Sequence, residues 1–124
     1  MLRSVMRTLG QSLLVAVLLA VGMGTLAAQT DVEALKAKAE QGYAEAQYYL
    51  GFMYANGEGV PQDYVQAQKW VNLAASQSQG EDLERYAETR ERFAKQMTPD
   101  QIAEAQRLAR EWKPKTWDEL KQGL

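Results

Sequence analysis

The sequence contains no cysteine and no histidine among its 124 residues. These absences exclude disulfide bonds, cysteine nucleophiles, imidazole acid–base catalysis and metal sites built from thiolate or imidazole ligands. An excess of positive charge is also lacking, because 14 basic residues stand against 16 acidic ones and the formal net charge is -2. Such a balance provides no electrostatic footprint for nucleic acid. We therefore expect no nucleic-acid partner, no metal and no cofactor.

The first 28 residues differ in composition from the rest of the chain. Arg3 and Arg7 are their only charges, an unbroken apolar run covers residues 13–21, and small residues follow up to Ala28. A basic start, a short apolar core and small residues at the end are typical of a secretory signal peptide. We expect cleavage near Ala28, export to an oxidising compartment, and membrane contact only through this segment.

An uncleaved N-terminal segment is the alternative. The apolar core is shorter than the roughly 20 residues that usually span a bilayer. If residues 9–26 nevertheless stayed in the membrane as an anchor, the protein would be a tethered structural factor of the cell envelope. A mature chain that begins near Gln29 would exclude the tether.

From Thr30 onward the sequence predicts helices and no strands. No stretch alternates with a period of two residues, and good helix formers dominate. Asp63 and Thr98 are expected N-caps, and Gly42 is an expected left-handed C-cap. We expect a loose C-terminal tail anchored by Trp117. Glycine, proline and capping residues divide the rest into about five helices, at approximately 31–41, 43–56, 63–76, 81–96 and 98–113.

The helical part contains an internal repeat with a period of 38 residues. Identical pairs at this shift include Leu35/Leu73, Ala37/Ala75, Gln41/Gln79 and Gly42/Gly80, and Tyr48/Tyr86 lies beyond them, where the match decays. Repeats of this length indicate stacked helical units. We therefore expect the second half of one helix-pair unit, then one complete unit, then a closing helix pair.

The complete unit has a distinctive order of residues. An alanine-rich helix with Leu50-Gly51 leads into a Gly57-x-Gly59-Val60 loop, and Asp63-Tyr64 opens a second helix. This order resembles the Sel-1-like repeat, a branch of the tetratricopeptide-like helical solenoids. The positions that carry the resemblance are Gly42, Ala44, Ala46, Leu50, Gly51, Tyr54, Gly57, Gly59, Val60, Asp63, Tyr64, Ala67, Trp70, Ala74, Ala75 and Gly80.

The resemblance implies an all-α fold, a short α-solenoid of antiparallel helix pairs, and a bacterial periplasmic location. The expected organisation is a signal peptide at 1–28, a repeat domain at 29–113, one full repeat at about 42–80, capping helices at 31–41 and 81–113, and a tail at 114–124.

Apolar spacing agrees with a helix that is covered on two sides. The first helix of the repeat carries two stripes, namely Tyr43, Ala46, Leu50 and Met53, and Ala44, Tyr48, Phe52 and Ala55. Two stripes need two covering neighbours, as an inner solenoid helix has. The second helix offers one inward stripe of Tyr64, Ala67, Val71 and Ala74. Gly51 is expected to let neighbouring backbones approach closely.

Carboxylate pairs are the remaining catalytic option, and none is convincing. Glu81, Asp82 and Glu84 cluster at the start of a predicted helix, where acidic residues stabilise the helix dipole. We expect no catalytic residue and no enzymatic activity. A carboxylate-dependent envelope hydrolase stays as an alternative for which no pair can be named.

The family resemblance implies protein–protein interaction. We expect a small exported adaptor or scaffold that binds a peptide or helix in a concave helical groove, and a short solenoid of this kind is also a candidate for self-association. The expected partner-binding residues are Gln47, Tyr48, Tyr49 and Phe52, because tyrosine and other aromatic residues serve well as interface anchors. The sequence does not identify the protein or peptide partner.

Overall fold

The computed structural model describes residues 31–123, which contain helices and no strand. The expected signal peptide and its cleavage site lie outside these residues. Residues Glu33–Leu124 form one compact unit, and the all-α fold with packed helix pairs is confirmed. The helices are α1 (31–41), α2 (Ala44–Asn56), α3 (Tyr64–Ser76), α4 (Gly80–Ala94), α5 (Pro99–Glu111) and α6 (Trp117–Gln122).

Local chemistry explains the turn between α2 and α3. Gly57 has φ 68° and ψ 34°, a left-handed conformation that glycine adopts at little cost, and its N–H donates to the carbonyl of Met53. At the other end of the turn, the Asp63 carboxylate accepts a 3.1 Å hydrogen bond from the backbone N–H of Gln66. The expected N-cap of α3 is therefore confirmed.

Helix α2 is buried on two sides, as its two apolar stripes predict. One side joins α3 and α4 in a core made of Tyr48, Ala55, Ala67, Val71, Ala74, Ala75, Tyr86 and Phe93. The other side joins α1 and α3 in a second core made of Ala39, Ala46, Leu50, Trp70 and Leu73. The repeat therefore supplies the central layer between two hydrophobic cores.

Gly51 is a point of close approach between α2 and α3. A Cβ atom at this position would lie 2.7 Å from Cγ2 of Val71 and 3.1 Å from the carbonyl oxygen of Ala67. Both distances are shorter than ordinary van der Waals contact, so a side chain at this position would push the two helices apart.

Helix α3 is buried more extensively than its single predicted stripe suggests. Gln68, Trp70 and Leu73 are buried in addition to the expected alanines and Val71. The reason is that α3 packs against α2, α4 and α5. Helix α5 contributes Ala105, which is completely buried. Helix α3, for which the sequence predicts one inward stripe, thus packs against three other helices of the unit.

The closing helices begin close to their predicted starts. Helix α4 begins at Gly80 and ends at Ala94, two residues before the expected end. Helix α5 has the predicted capping box, in which Thr98 Oγ1 accepts from the N–H of Gln101 and Gln101 Oε1 accepts from the N–H of Thr98. Pro99 occupies the first helical position, where its missing N–H is harmless.

The C-terminal segment differs from the expected tail. It contains the short helix α6, and Trp117 is 58% exposed, so the expectation that Trp117 anchors the segment is wrong. The attachment lies earlier, where the N–H of Lys115 donates to the carbonyl of Glu40 at 2.7 Å. The indole N–H of Trp112 also faces the Glu40 carboxylate at 3.4 Å. Across the part of the chain that the structure describes, no helix has the length and apolar character needed to cross a membrane.

Candidate functional site

Gln47, an expected partner-binding residue, is enclosed by the protein itself. Its side chain is 0% exposed. Its amide donates to the carbonyl of Ala39 at 3.1 Å and accepts from the side-chain amide of Gln77 at 2.6 Å. These bonds tie α2 to α1 and to the end of α3. The expectation that Gln47 faces a partner is corrected, because a buried amide is retained where its own chain satisfies it.

Tyr48 is likewise a core residue and does not line a groove. It is 8% exposed, and its ring lies 4.5 Å from the ring of Tyr86 on α4. Its hydroxyl is 3.4 Å from that of Thr89, and its ring packs edge-on against Phe52 at 5.0 Å. The expectation of a groove-facing Tyr48 is corrected, because a neighbouring helix that is distant in sequence covers this stripe of α2.

Arg85 covers part of the same aromatic pair from the solvent side. Its guanidinium lies 5.2 Å from the ring of Tyr48 and 5.3 Å from that of Tyr86, and it pairs with Asp82 at 3.0 Å. The hydrogen-bonding interaction with Tyr86 is the main cause that raises the pKa of Arg85. The guanidinium lies over both rings and makes a cation–π contact with each of them.

Tyr49 is the predicted site residue that solvent reaches. It is 50% exposed and lines a groove between α1 and α2 with a volume of about 600 Å³. We call this surface the α1–α2 groove. Its lining consists of Leu35, Lys38, Gln41, Tyr43, Ala44, Glu45, Ala46 and Tyr49.

Tyr43 belongs to this groove, although its spacing assigns it to the inward stripe of α2. It is 61% exposed, because it is the N-cap residue of α2 and its φ of -71° and ψ of 116° are extended. The helical period of 3.6 residues does not apply to a residue outside the helix. The preceding Gly42, which has a φ of 104°, is the sequence signal that marks Tyr43 as lying outside α2.

Phe52 lies in a different place from Tyr49. It is half-buried and lines a smaller pocket of about 360 Å³ among the C-terminal ends of α2 and α4 and the start of α3. We call it the Phe52 pocket. The four expected partner-binding residues thus divide into two buried residues, Gln47 and Tyr48, and two residues on separate surfaces, Tyr49 and Phe52.

Titratable groups do not assemble into a metal centre in residues 31–123. No three acidic side chains there are close enough to hold a metal ion. Lys69 has a lowered pKa because burial disfavours its charged form, while the carboxylate of Glu40 opposes this effect. Its ammonium lies 4.2 Å from the centre of the Trp70 ring, a cation–π contact that explains its position structurally.

Comparison with known proteins identifies the repeat. Residues 44–79 match the model of the Sel1 repeat. No curated protein and no solved structure matches the chain. The matched range covers α2, the turn and α3, and includes Gly51, where the two helices approach closely. Sel1 repeats generally mediate protein–protein interaction and are typically non-catalytic. The chain therefore contains a Sel1 repeat, which is the helix pair at residues 44–79.

Proposed function

We propose that this chain is a non-enzymatic interaction module that binds a peptide or helix of a partner protein in the α1–α2 groove. The observation that carries the proposal is the pair of exposed tyrosines, Tyr43 and Tyr49, in a groove that also presents Leu35 and two alanines. Tyrosine combines a large apolar ring with a hydrogen-bonding hydroxyl, so it anchors interfaces effectively.

The polar residues of the groove support an oriented peptide. Lys38 and Glu45 supply one charge of each sign, and Gln41 supplies an amide that both donates and accepts. A few polar groups within an apolar lining fix the direction of a ligand, while the apolar contacts provide most of the affinity. The groove is therefore better suited to an amphipathic segment than to a uniformly apolar one.

Site-specific photo-crosslinking tests this proposal. A photoreactive phenylalanine analogue replaces Tyr49 in one protein and Trp117 in a second, because both native side chains are similarly exposed. Both proteins are irradiated in an envelope extract from the producing cells. We expect a discrete crosslinked protein from position 49 and not from position 117. Identical crosslinked products from both positions would show that proteins of the extract contact the surface without preference for the α1–α2 groove, which would contradict the proposal.

A substitution pair tests the energetic role of the tyrosine. Tyr49→Ala is expected to weaken capture of the crosslinked partner roughly fivefold or more, since interface anchors typically contribute over 1 kcal/mol. Trp117→Ala is the matched control and should leave capture unchanged. Both proteins should keep the helical circular dichroism signal. Equal capture of the partner by Tyr49→Ala and by the wild type would contradict the proposal. If the only protein crosslinked from position 49 is a second copy of this chain, the groove is a self-association surface and the proposal of a different partner protein is wrong.

Export to the bacterial periplasm is the second part of the proposal, in which the module acts as a small envelope adaptor. It is supported by Arg3 and Arg7 ahead of an apolar run and by the small residues up to Ala28. Mass spectrometry of protein purified from cells is expected to find a chain that begins near Gln29. An intact N-terminus in a membrane fraction would favour the tethered structural factor instead.

A further inference from the structure

The Phe52 pocket is a second surface, separate from the α1–α2 groove, and it has an aromatic lining. The ring of Phe93 lies 5.5 Å from that of Phe52 and 6.2 Å from that of Tyr64, in edge-to-face arrangements. Phe93 itself is buried, whereas Phe52 and Tyr64 are half-buried. The rings therefore support one another and present apolar area to the pocket of about 360 Å³.

Two cations in the lining have no ionic partner within the described part of the chain. Arg92 and Lys95 of the α4 end line the pocket, and its lining contains no carboxylate. The described ion pairs engage other cations, which are Lys36, Arg85, Arg107 and Lys115. Two unpaired positive charges beside an apolar surface are complementary to a ligand that joins an anionic group to an apolar one.

Two amides complete the lining. Asn56 at the end of α2 and Gln96 after α4 are both exposed, and each side chain can donate and accept hydrogen bonds. A peptide group also needs one donor and one acceptor, so the amides suit a polypeptide backbone. A fatty acid or a small aromatic acid would use the cations and the rings but has no peptide group to bond with either amide, which would stay hydrated.

We propose that the Phe52 pocket binds the C-terminal residue of another polypeptide. The apolar side chain of that residue packs against Phe52 and Tyr64, and its free α-carboxylate pairs with Arg92 and Lys95. The last peptide group bonds with the amides of the lining. This site goes beyond the function proposed for the α1–α2 groove, because the two surfaces share no lining residue.

Fluorescence anisotropy with defined peptides tests the site on the full chain. The probe is a short N-terminally labelled peptide that ends in phenylalanine with a free carboxylate. The same peptide with an amidated C-terminus is expected to bind about fivefold more weakly or worse, because its terminal charge is lost. A version that ends in glycine should also bind more weakly. Equal binding of the free acid and the amide would overturn the proposal.

Charge-matched variants on one helix locate the site. Arg92→Gln and Lys95→Gln are each expected to weaken binding of the free-acid peptide about fivefold. Arg90→Gln on the same helix is the control, since Arg90 is exposed and does not line the pocket. A loss for Arg90→Gln as large as for Arg92→Gln would indicate general charge attraction and would overturn the assignment.

Two further measurements separate this site from its alternatives. Tyr49→Ala should leave binding of the free-acid peptide unchanged. The peptide measurement therefore tests the Phe52 pocket even if the function proposed for the α1–α2 groove is wrong. 3-Phenylpropionate, a small acid with the same ring and carboxylate, should compete only weakly. If it binds as tightly as the peptide, the site recognises a small carboxylate and the peptide assignment is wrong.

Discussion

Gly51 determines how closely the two helices of the repeat approach one another. A Cβ at this position would meet Val71, which is fully buried, and the backbone carbonyl of Ala67. We expect Gly51→Ala to lower the free energy of unfolding by about 1–3 kcal/mol, because overpacking separates the helices. The gain in helix propensity from replacing glycine by alanine, about 1 kcal/mol at most, does not offset this loss.

Urea denaturation followed by circular dichroism measures the effect. Glu45→Ala on the same helix is the control, since Glu45 is exposed, and its change should stay within about 0.5 kcal/mol. A Gly51→Ala protein that is as stable as the wild type would show that α2 and α3 can separate without loss.

Gln47 is a polar residue that holds three helices together from inside the core. Replacing it by leucine, which is similar in size, removes its hydrogen bonds to the carbonyl of Ala39 and to the side-chain amide of Gln77. The Ala39 carbonyl still accepts from the N–H of Gly42, and Gln77 is exposed to water. We expect Gln47→Leu to lower the unfolding free energy by about 1–3 kcal/mol, because each of the two lost hydrogen bonds contributes about 0.5–1.5 kcal/mol.

The exposed Gln106 on α5 provides the comparison for the same substitution. Gln106→Leu should change the urea midpoint very little. If Gln47→Leu were neutral or stabilising, the hydrogen bonds of Gln47 would contribute nothing net, and its burial would need another explanation.

At the scale of elements, α5 and α6 begin with the same capping box but differ in what they bury. Helix α5 buries Ala105, whereas α6 contains no buried residue. Thr98→Ala should therefore destabilise the whole unit by about 1 kcal/mol. Thr116→Ala should leave the global unfolding free energy within about 0.5 kcal/mol of the wild type and only reduce helicity in α6.

The two kinds of change are separated by global unfolding in urea and by backbone chemical shifts of residues 117–122. An equal global loss in both variants would mean that α6 is coupled to the cores. That outcome would contradict the absence of buried side chains from α6.

Helix α2 shows how far periodicity predicts an element. Its two stripes correctly predict two covered sides, because helical geometry places residues three and four apart on one face. The pattern fails at Tyr43, which precedes the helix, and at Gln47, which is polar yet buried. Neither exception follows from spacing, since one depends on backbone angles and the other on partners in other helices.

At the scale of the whole molecule, α5 closes the side of α3 that the repeat leaves uncovered. Trp70 of α3 packs edge-on against Trp112 beyond α5, with ring centres 6.2 Å apart. A chain that ends after Met97 is expected to lose cooperative unfolding and to bind an apolar dye, because removal of α5 exposes this core.

A chain that ends after Lys115 is the matched control. It keeps α5 and the hydrogen bond from Lys115 to Glu40, and it lacks only α6 and the residues beside it. We expect it to unfold as cooperatively as the full chain in calorimetry. Cooperative unfolding of the shorter chain, ending at Met97, would show that α2, α3 and α4 are sufficient by themselves.

The sequence alone determines α1 to α5, the side-chain caps of α3 and α5, and the repeat. Asp63, Thr98 and Gly57 act through hydrogen bonds and backbone angles within a few residues, so their effect can be read locally. The motif around Leu50 and Gly51 likewise identifies the Sel1 repeat without coordinates.

Only the tertiary structure decides which surfaces are free to bind. It buries Gln47 and Tyr48, exposes Tyr43, and seats Trp112 against Glu40, a residue 72 positions earlier in the chain. These outcomes depend on contacts between helices that are distant in sequence, and local propensity carries no information about such contacts. The physical reason is that a stripe of side chains specifies that a face must be covered, whereas the packing of the whole unit specifies what covers it.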